Sequence, residues 1–191
     1  MFPRLVRTER LILRAWEPAD AQDLKSAIDA NLAHLQPWVP WAKGEPSPLD
    51  AIVSRVEKFA SDFESGAEWL YAIFGLDGRT LLGGTGLHPR IGPGGIEIGY
   101  WIGAPYTRLG YATEAAGALT RLAFTEPEVQ RVEIRCDPLN EASARIPHHL
   151  GFRHVETLVG EFVMPAGAPR DTMVWRMTRA EHEKTLSTVR P

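Results

Sequence analysis

One cysteine, Cys136, excludes an internal disulfide, and it has no thiol partners for a cysteine-rich metal site. The six histidines (His34, His88, His148, His149, His154 and His182) include no pair at a zinc spacing with a matching third ligand, so no metal is expected. No apolar run reaches membrane-spanning length, which argues against a membrane partner. Arg4, Arg7, Glu9, Arg10 and Arg14 interrupt the first apolar stretch, so no signal peptide is expected there. There is no basic excess either. A formal charge of −3 and a pI near 6.1 argue against stable nucleic-acid binding. Two nucleotide loops are also missing. Gly110 is followed by Tyr111-Ala112 where a Walker loop needs Lys and Ser/Thr, and no Gly-x-Gly-x-x-Gly precedes a helix. The expectation is a soluble cytoplasmic protein without repeats.

What is present is ordinary for a globular chain: 44% hydrophobic and 24% charged residues, with length for one domain over 1–191. Thr8 to Trp16 reads as a strand. Helices follow over about Ala19 to Leu35 and Pro48 to Ser65, the second stopped by Gly66. Gln36-Pro37-Trp38-Val39-Pro40-Trp41 between them cannot be regular helix. Glu68 to Leu76 and Thr80 to His88 read as a hairpin turned by Asp77-Gly78. Ile96 to Ile102 is a strand, and helix continues to about Thr125. Val129 to Cys136, a helix capped near Asn140 and closed by Gly151, and strands Arg153 to Val163 and Thr172 to Met177 complete the chain. Ala166 to Pro169 reads as loop, and the last residues as frayed. The order β-α-α-β-β-β-α-β-α-β-β predicts an α+β fold on a central mixed, mostly antiparallel sheet flanked by helices. Its one crossover makes Ile96 to Ile102 and Val129 to Cys136 parallel.

The most informative segment runs from Glu97 to Glu114. A strand enters a glycine loop and then an alanine-rich helix, which leaves backbone N–H groups free at a positive helix end for an anion. Thr107-Arg108-Leu109-Gly110-Tyr111-Ala112 resembles the pyrophosphate loop of the GCN5-related N-acetyltransferases, Gln/Arg-x-x-Gly-x-Gly/Ala, departing at Thr107. Asp137-Pro138-Leu139-Asn140-Glu141-Ala142-Ser143 and Leu150-Gly151-Phe152 resemble the Asn-x-x-Ser … Leu-Gly-Phe run of the RimJ/RimL branch, which includes enzymes acetylating ribosomal-protein N-termini. Thr8 to Arg14 and Arg170 to Trp175 are similar to the same branch.

The resemblance implies acetyl-CoA as co-substrate. Its pantetheine arm would pair near Trp101, Ile102 and Gly103. Its pyrophosphate would lie on Thr107, Arg108, Leu109, Gly110, Tyr111, Ala112 and Thr113, with Asn140 and Ser143 also reaching the coenzyme. The acceptor would be a primary amine, either a protein N-terminus or a small molecule. Amine acetylation needs a proton acceptor. Glu97 is the first choice, Glu161 and Glu68 are alternatives, and water is another. Ser143 is the candidate donor to the leaving thiolate, although a serine near a helix start also suits a backbone cap. Trp38 and Trp41 could wall the acceptor site, and His88 could reach it from the end of its strand. Cys136 reads as a small buried hydrophobe, and Pro147 should kink the helix begun by Asn140. A second reading keeps the fold but makes it a non-catalytic acyl-CoA sensor. The C-terminal strands and tryptophans could build a homodimer.

Overall fold

The computed structural model describes residues 2–163 and 169–188, so of the loop read at Ala166 to Pro169 the first three residues lie outside the described ones, and Pro169 instead opens a strand. The chain opens with a hairpin, β1 (Leu5–Arg7) and β2 (Leu11–Ala15), which corrects the single strand read over Thr8 to Trp16. Thr8 makes the turn: its N–H donates to the Leu11 carbonyl at 3.0 Å, and its hydroxyl accepts the Leu11 N–H at 3.0 Å. The following helix also divides. α1 (Ala21–Ala30) stops at Asn31, where φ falls to −121°, and α2 (Leu32–Leu35) is a single turn. Asn31 serves tertiary contacts instead, accepting the Ala104 N–H at 2.6 Å and donating to the Ala27 carbonyl at 2.7 Å. Next comes α3 (Leu49–Ser65), ended by Gly66 at φ 76° as its sequence suggests.

β3 (Trp69–Gly75), β4 (Leu81–His88) and β5 (Gly95–Ile102) form an antiparallel meander. α4 (Tyr111–Ala123) crosses to β6 (Arg131–Cys136), and α5 (Glu141–His149) leads to β7 (Arg153–Val163) and β8 (Pro169–Thr178). A last helix, α6 (Arg179–Thr188), adds to the elements read in the sequence, and the last residues read as frayed, 189–191, lie outside the described residues. Thr178 and Glu181 cap it, since the Glu181 carboxylate accepts the Thr178 N–H at 2.8 Å. The eight strands lie in the order β1-β2-β3-β4-β5-β6-β8-β7. Among these pairings only β5–β6 is parallel, as a helical crossover requires.

Alternation along the strands feeds two cores. Leu11, Leu13, Tyr71, Ile73, Ile96 and Ile98 turn to the face covered by α4, where Ala115, Ala116 and Ala118 let the helix approach closely. Ile12, Ala72 and Phe74 turn to the other face, beneath Leu24 and Ile28 of α1 and Ile52 and Val56 of α3. The register of β5 positions the site. β5 pairs with β6 only over Gly95–Glu97, opposite Arg131–Glu133; beyond that the strands part, while β5 stays on β4 and β6 on β8.

Candidate active site

The gap beyond Glu97 leaves half of the β5 backbone unpaired. Gly103 N–H donates to the Leu82 carbonyl at 2.8 Å, so residues alternating back from Gly103 (Trp101, Gly99 and Glu97) aim their backbone at β4. The N–H and C=O groups of Tyr100 and Ile102 therefore face the gap. A strand edge of this kind accepts an extended amide-bearing arm. Past Ile102 the chain tightens through Gly103, whose carbonyl accepts the Tyr106 N–H at 2.9 Å, and reaches Arg108 and Gly110 at φ 62° and 82°. These left-handed residues swing the backbone onto the start of α4. The first intrahelical bond runs from Glu114 N–H to the Gly110 carbonyl at 3.0 Å, so the amides of Tyr111, Ala112 and Thr113 remain available to an anion. The Thr107 hydroxyl turns inward to the Ala104 carbonyl at 2.9 Å and helps hold the loop.

The β1–β2 turn braces this loop from outside, a role that the Thr8 to Arg14 motif does not announce. The Glu114 carboxylate accepts the Thr8 hydroxyl at 2.6 Å, the Arg10 N–H at 2.8 Å and Arg10 Nε at 2.7 Å. Burial raises the Glu114 pKa, but the hydrogen bonds from Thr8 and Arg10 outweigh it and hold the carboxyl below its ordinary range.

A cavity of about 940 Å³ passes through the gap and joins the two faces of the sheet. Tyr100, Cys136, Asn140 and Ser143 line its α4–α5 side. Asn140 is the helix cap, accepting the Ser143 N–H at 3.1 Å. The Ser143 side chain is thereby free for another contact, and its hydroxyl lies 3.1 Å from Tyr100 Oη. Tyr100 Oη also donates to the Ser143 carbonyl at 3.2 Å, the acceptor that Pro147 leaves without its helical N–H. Burial pushes the Tyr100 phenol well above its usual pKa. It also raises the Cys136 thiol to about 11, so Cys136 is a protonated, buried thiol rather than a nucleophile.

The opposite side carries Glu97, Trp101, Trp38, Trp41 and His88, all lining the same cavity. Trp41 meets Trp101 edge-on at 6.0 Å between ring centres, and the Arg170 guanidinium lies 5.3 Å from the Trp38 ring centre. Arg170 also pairs with Asp137 and donates to the Pro37 carbonyl, joining β8 to the tryptophan loop. Glu97 is buried, and both its oxygens are engaged by Arg90, at 2.5 Å and 3.1 Å. Of the alternative carboxylates, Glu161 sits 3.4 Å from Arg135 and Glu68 sits 2.9 Å from His88 Nδ1. Glu133 went unread in the sequence. It is 1% exposed and held by Arg176 at 2.7 Å and Arg135 at 3.1 Å, an ion cluster that stiffens the strands beside the gap. Thr107 to Thr113 do not line the cavity; the open edge of β5 leads from it to them.

A sheet parted at one parallel pair, with a left-handed glycine loop and a helix N-terminus at the end of the open strand, is an acyltransferase architecture. Comparison places the chain within that class. Residues 10–153 match the acetyltransferase (GNAT) domain family, and the chain belongs to it as an N-acetyltransferase. YdaF of Bacillus subtilis (strain 168), provisionally named a ribosomal N-acetyltransferase, is 32% identical over 151 residues, 75% of this chain and 78% of that one. Two solved structures share the fold at 19% identity. RimL, the ribosomal L7/L12 α-N-protein acetyltransferase in complex with coenzyme A, superposes with a TM-score of 0.83 over 91% of this chain and 97% of that one. MccE, the microcin C7 self-immunity acetyltransferase in complex with acetyl-CoA and AMP, gives 0.82 over 90% and 93%.

Proposed function

We propose that the protein transfers an acetyl group from acetyl-CoA directly to a primary amine in a ternary complex. The observation that carries this is the open edge of β5, where Tyr100 and Ile102 face the gap, running into the free amides of Tyr111, Ala112 and Thr113. Pantetheine amides would complete the ladder on that edge, and the pyrophosphate would take the loop and helix amides. The thioester would then hang in the gap, within reach of both sides of the cavity. A gap-facing N–H would meet the oxygen that gains negative charge during attack. As the carbon–sulfur bond breaks, the thiolate would lie beside the Ser143–Tyr100 hydroxyl pair, which can supply a proton.

The acceptor amine would enter past Trp38 and Trp41, whose rings grip an apolar or aromatic neighbour of the amine. A protein N-terminus is the first choice of acceptor, supported by the name of YdaF, and a small-molecule amine is the second. We take residues 1–191 as one cytoplasmic domain. Nothing in the site favours the sensor reading. Titration with acetyl-CoA by calorimetry, followed by thiol release against peptides with Ser or Ala N-termini, aminoacyl compounds and aminoglycosides, tests the proposal. Binding with acceptor-dependent release is expected; absence of coenzyme binding would refute it.

A further inference from the structure

We propose that His88, oriented by Glu68, is the catalytic group that takes the proton from the acceptor amine. The inference rests on the acetyl-transfer reading and assigns its base. Each carboxylate lining the cavity already has a partner: Glu97 holds Arg90, Glu161 faces Arg135, Asp137 pairs with Arg170, Asp171 accepts the Gly160 N–H at 2.9 Å, and Glu68 meets His88. His88 differs from them. Its Nδ1 lies 2.9 Å from Glu68 Oε1, and an ionised carboxylate only accepts hydrogen bonds. In the neutral ring Nδ1 therefore carries the proton, and Nε2 carries the lone pair. Among the described residues Nε2 makes no hydrogen bond.

The sheet gives Nε2 its direction. Gly86 pairs with Gly99 and His88 with Glu97, so all four share one face. A Cβ at Gly86 would stand 3.2 Å from His88 Nε2, and one at Gly99 would stand 3.3 Å from it. The imidazole thus lies along the sheet surface over two positions that carry no side chain, pointing toward Trp101. A larger residue at 99 would compete for the space of the ring, and one at 86 would meet Leu70 before the ring. The side chain is 13% exposed, within the cavity. The charges lining the cavity with it are Glu68 just before β3, Arg90 in the β4–β5 turn, Glu97 on β5, Arg135 on β6, Asp137 after it, Glu161 on β7, Arg170 and Asp171 on β8, and Lys43 and Arg55 across the cavity.

The proton balance closes without another reactant. The acceptor arrives as an ammonium with three protons. One passes to His88 Nε2 and on to solvent, which frees the nitrogen lone pair. The nitrogen–carbon bond forms, the carbon–sulfur bond breaks, and the second proton reaches the departing sulfur through the Ser143–Tyr100 side. The third stays on the amide. Base and acid thus act from opposite faces of one sheet, through the same gap.

His88→Gln keeps the size and polarity of the side chain but cannot accept a proton. Its kcat should fall by about 100-fold or more at neutral pH, with acetyl-CoA affinity by calorimetry unchanged. The deficit should narrow as the pH is raised, because solvent then supplies the free amine. Glu68→Gln, a change at a positioning residue, should fall between the two. Its readout is ¹⁵N NMR of the His88 ring, which needs no acceptor: the wild type should show the Nδ1–H tautomer, and Glu68→Gln a mixture. A His88→Gln enzyme within threefold of wild type, or an Nε2–H tautomer in the wild type, would overturn the assignment alone. Wild-type protein that fails to bind acetyl-CoA would remove the acetyl-transfer reading along with it.

Discussion

The Arg10 guanidinium reaches from the Glu114 carboxylate, at 2.7 Å, to the Leu109 carbonyl, at 2.8 Å, and lies 5.0 Å from the centre of the Tyr111 ring. Glu114 sits in the first turn of α4, beside the amides offered to phosphate. Left unneutralised, its charge would repel the ligand. Arg10→Ala is therefore expected to weaken acetyl-CoA binding by about tenfold with kcat little changed, and Arg10→Lys to recover part of it; calorimetry and initial rates separate the two. The same carboxyl has a linkage to stability. Its folded pKa lies below the ordinary 4.5, so its contribution is present above 4.5 and is lost as the pH falls through the lowered value. Glu45 behaves alike. Burial raises its pKa, but Arg55 and Ser47 outweigh it and leave it lowered. Thermal midpoints should stay level from pH 7 to about 5 and drop below about 4.5, more steeply in wild type than in Glu114→Gln. None of this was legible in the sequence. The Thr8 to Arg14 run could be matched to a branch of the family, but which loop Arg10 braces depends on bringing residues 10 and 114 together across the sheet.

α5 shows how an element can be built around its own defect. Pro147 removes the N–H that should meet the Ser143 carbonyl, and the Tyr100 hydroxyl fills that place from β5 at 3.2 Å. The proline was visible in the sequence; the tyrosine that compensates it was not, because the contact joins residues that are distant along the chain. Tyr100→Phe should destabilise the fold by about 1 kcal/mol, the cost of leaving a half-buried carbonyl without its partner. In a Pro147→Ala background the restored N–H can reach that carbonyl, so most of that loss should disappear in a double-mutant cycle followed by urea unfolding. Equal losses in both backgrounds would show that the hydroxyl does not serve the helix. Other elements were readable where their signal was local. Gly66 and Asn140 set helix ends, and Asp77-Gly78 turned the β3–β4 hairpin. Two elements were lost for physical reasons. The Thr8 turn interrupts a stretch whose apolar pattern continues on both sides. α6 is polar around its circumference, so periodicity is silent and only the Thr178–Glu181 cap announces it.

At the scale of the whole molecule, residues of β2 and β3 alternate between the two cores: Leu11 and Leu13 serve one, Ile12 the other, and Tyr71 and Ala72 divide likewise. Neither core can dissolve without loosening strands that the other needs, so unfolding is expected as one transition. The weak line is the gap, where β5 and β6 share only three paired positions before parting. The class of fold and the glycine turn into α4 could be read because a strand, a glycine turn and a helix follow one another in the chain. The parting of the strands could not, since nothing in Ile98 to Ile102 or Ile134 to Cys136 encodes the distance between them. A ligand that completes the open β5 edge and occupies the α4 amides would strengthen this line and should therefore stabilise the whole molecule. At a hundredfold excess over its dissociation constant, acetyl-CoA should contribute about 2.7 kcal/mol, which for a chain of this size raises the thermal midpoint by about 5–10 °C in a single transition. Coenzyme A should act similarly, and adenosine, which lacks the pyrophosphate and the arm, should barely act. Raising the salt concentration should reduce the shift to the extent that phosphate charge carries it. A midpoint that rises equally with adenosine would place the binding energy elsewhere than on the β5 edge and the loop amides.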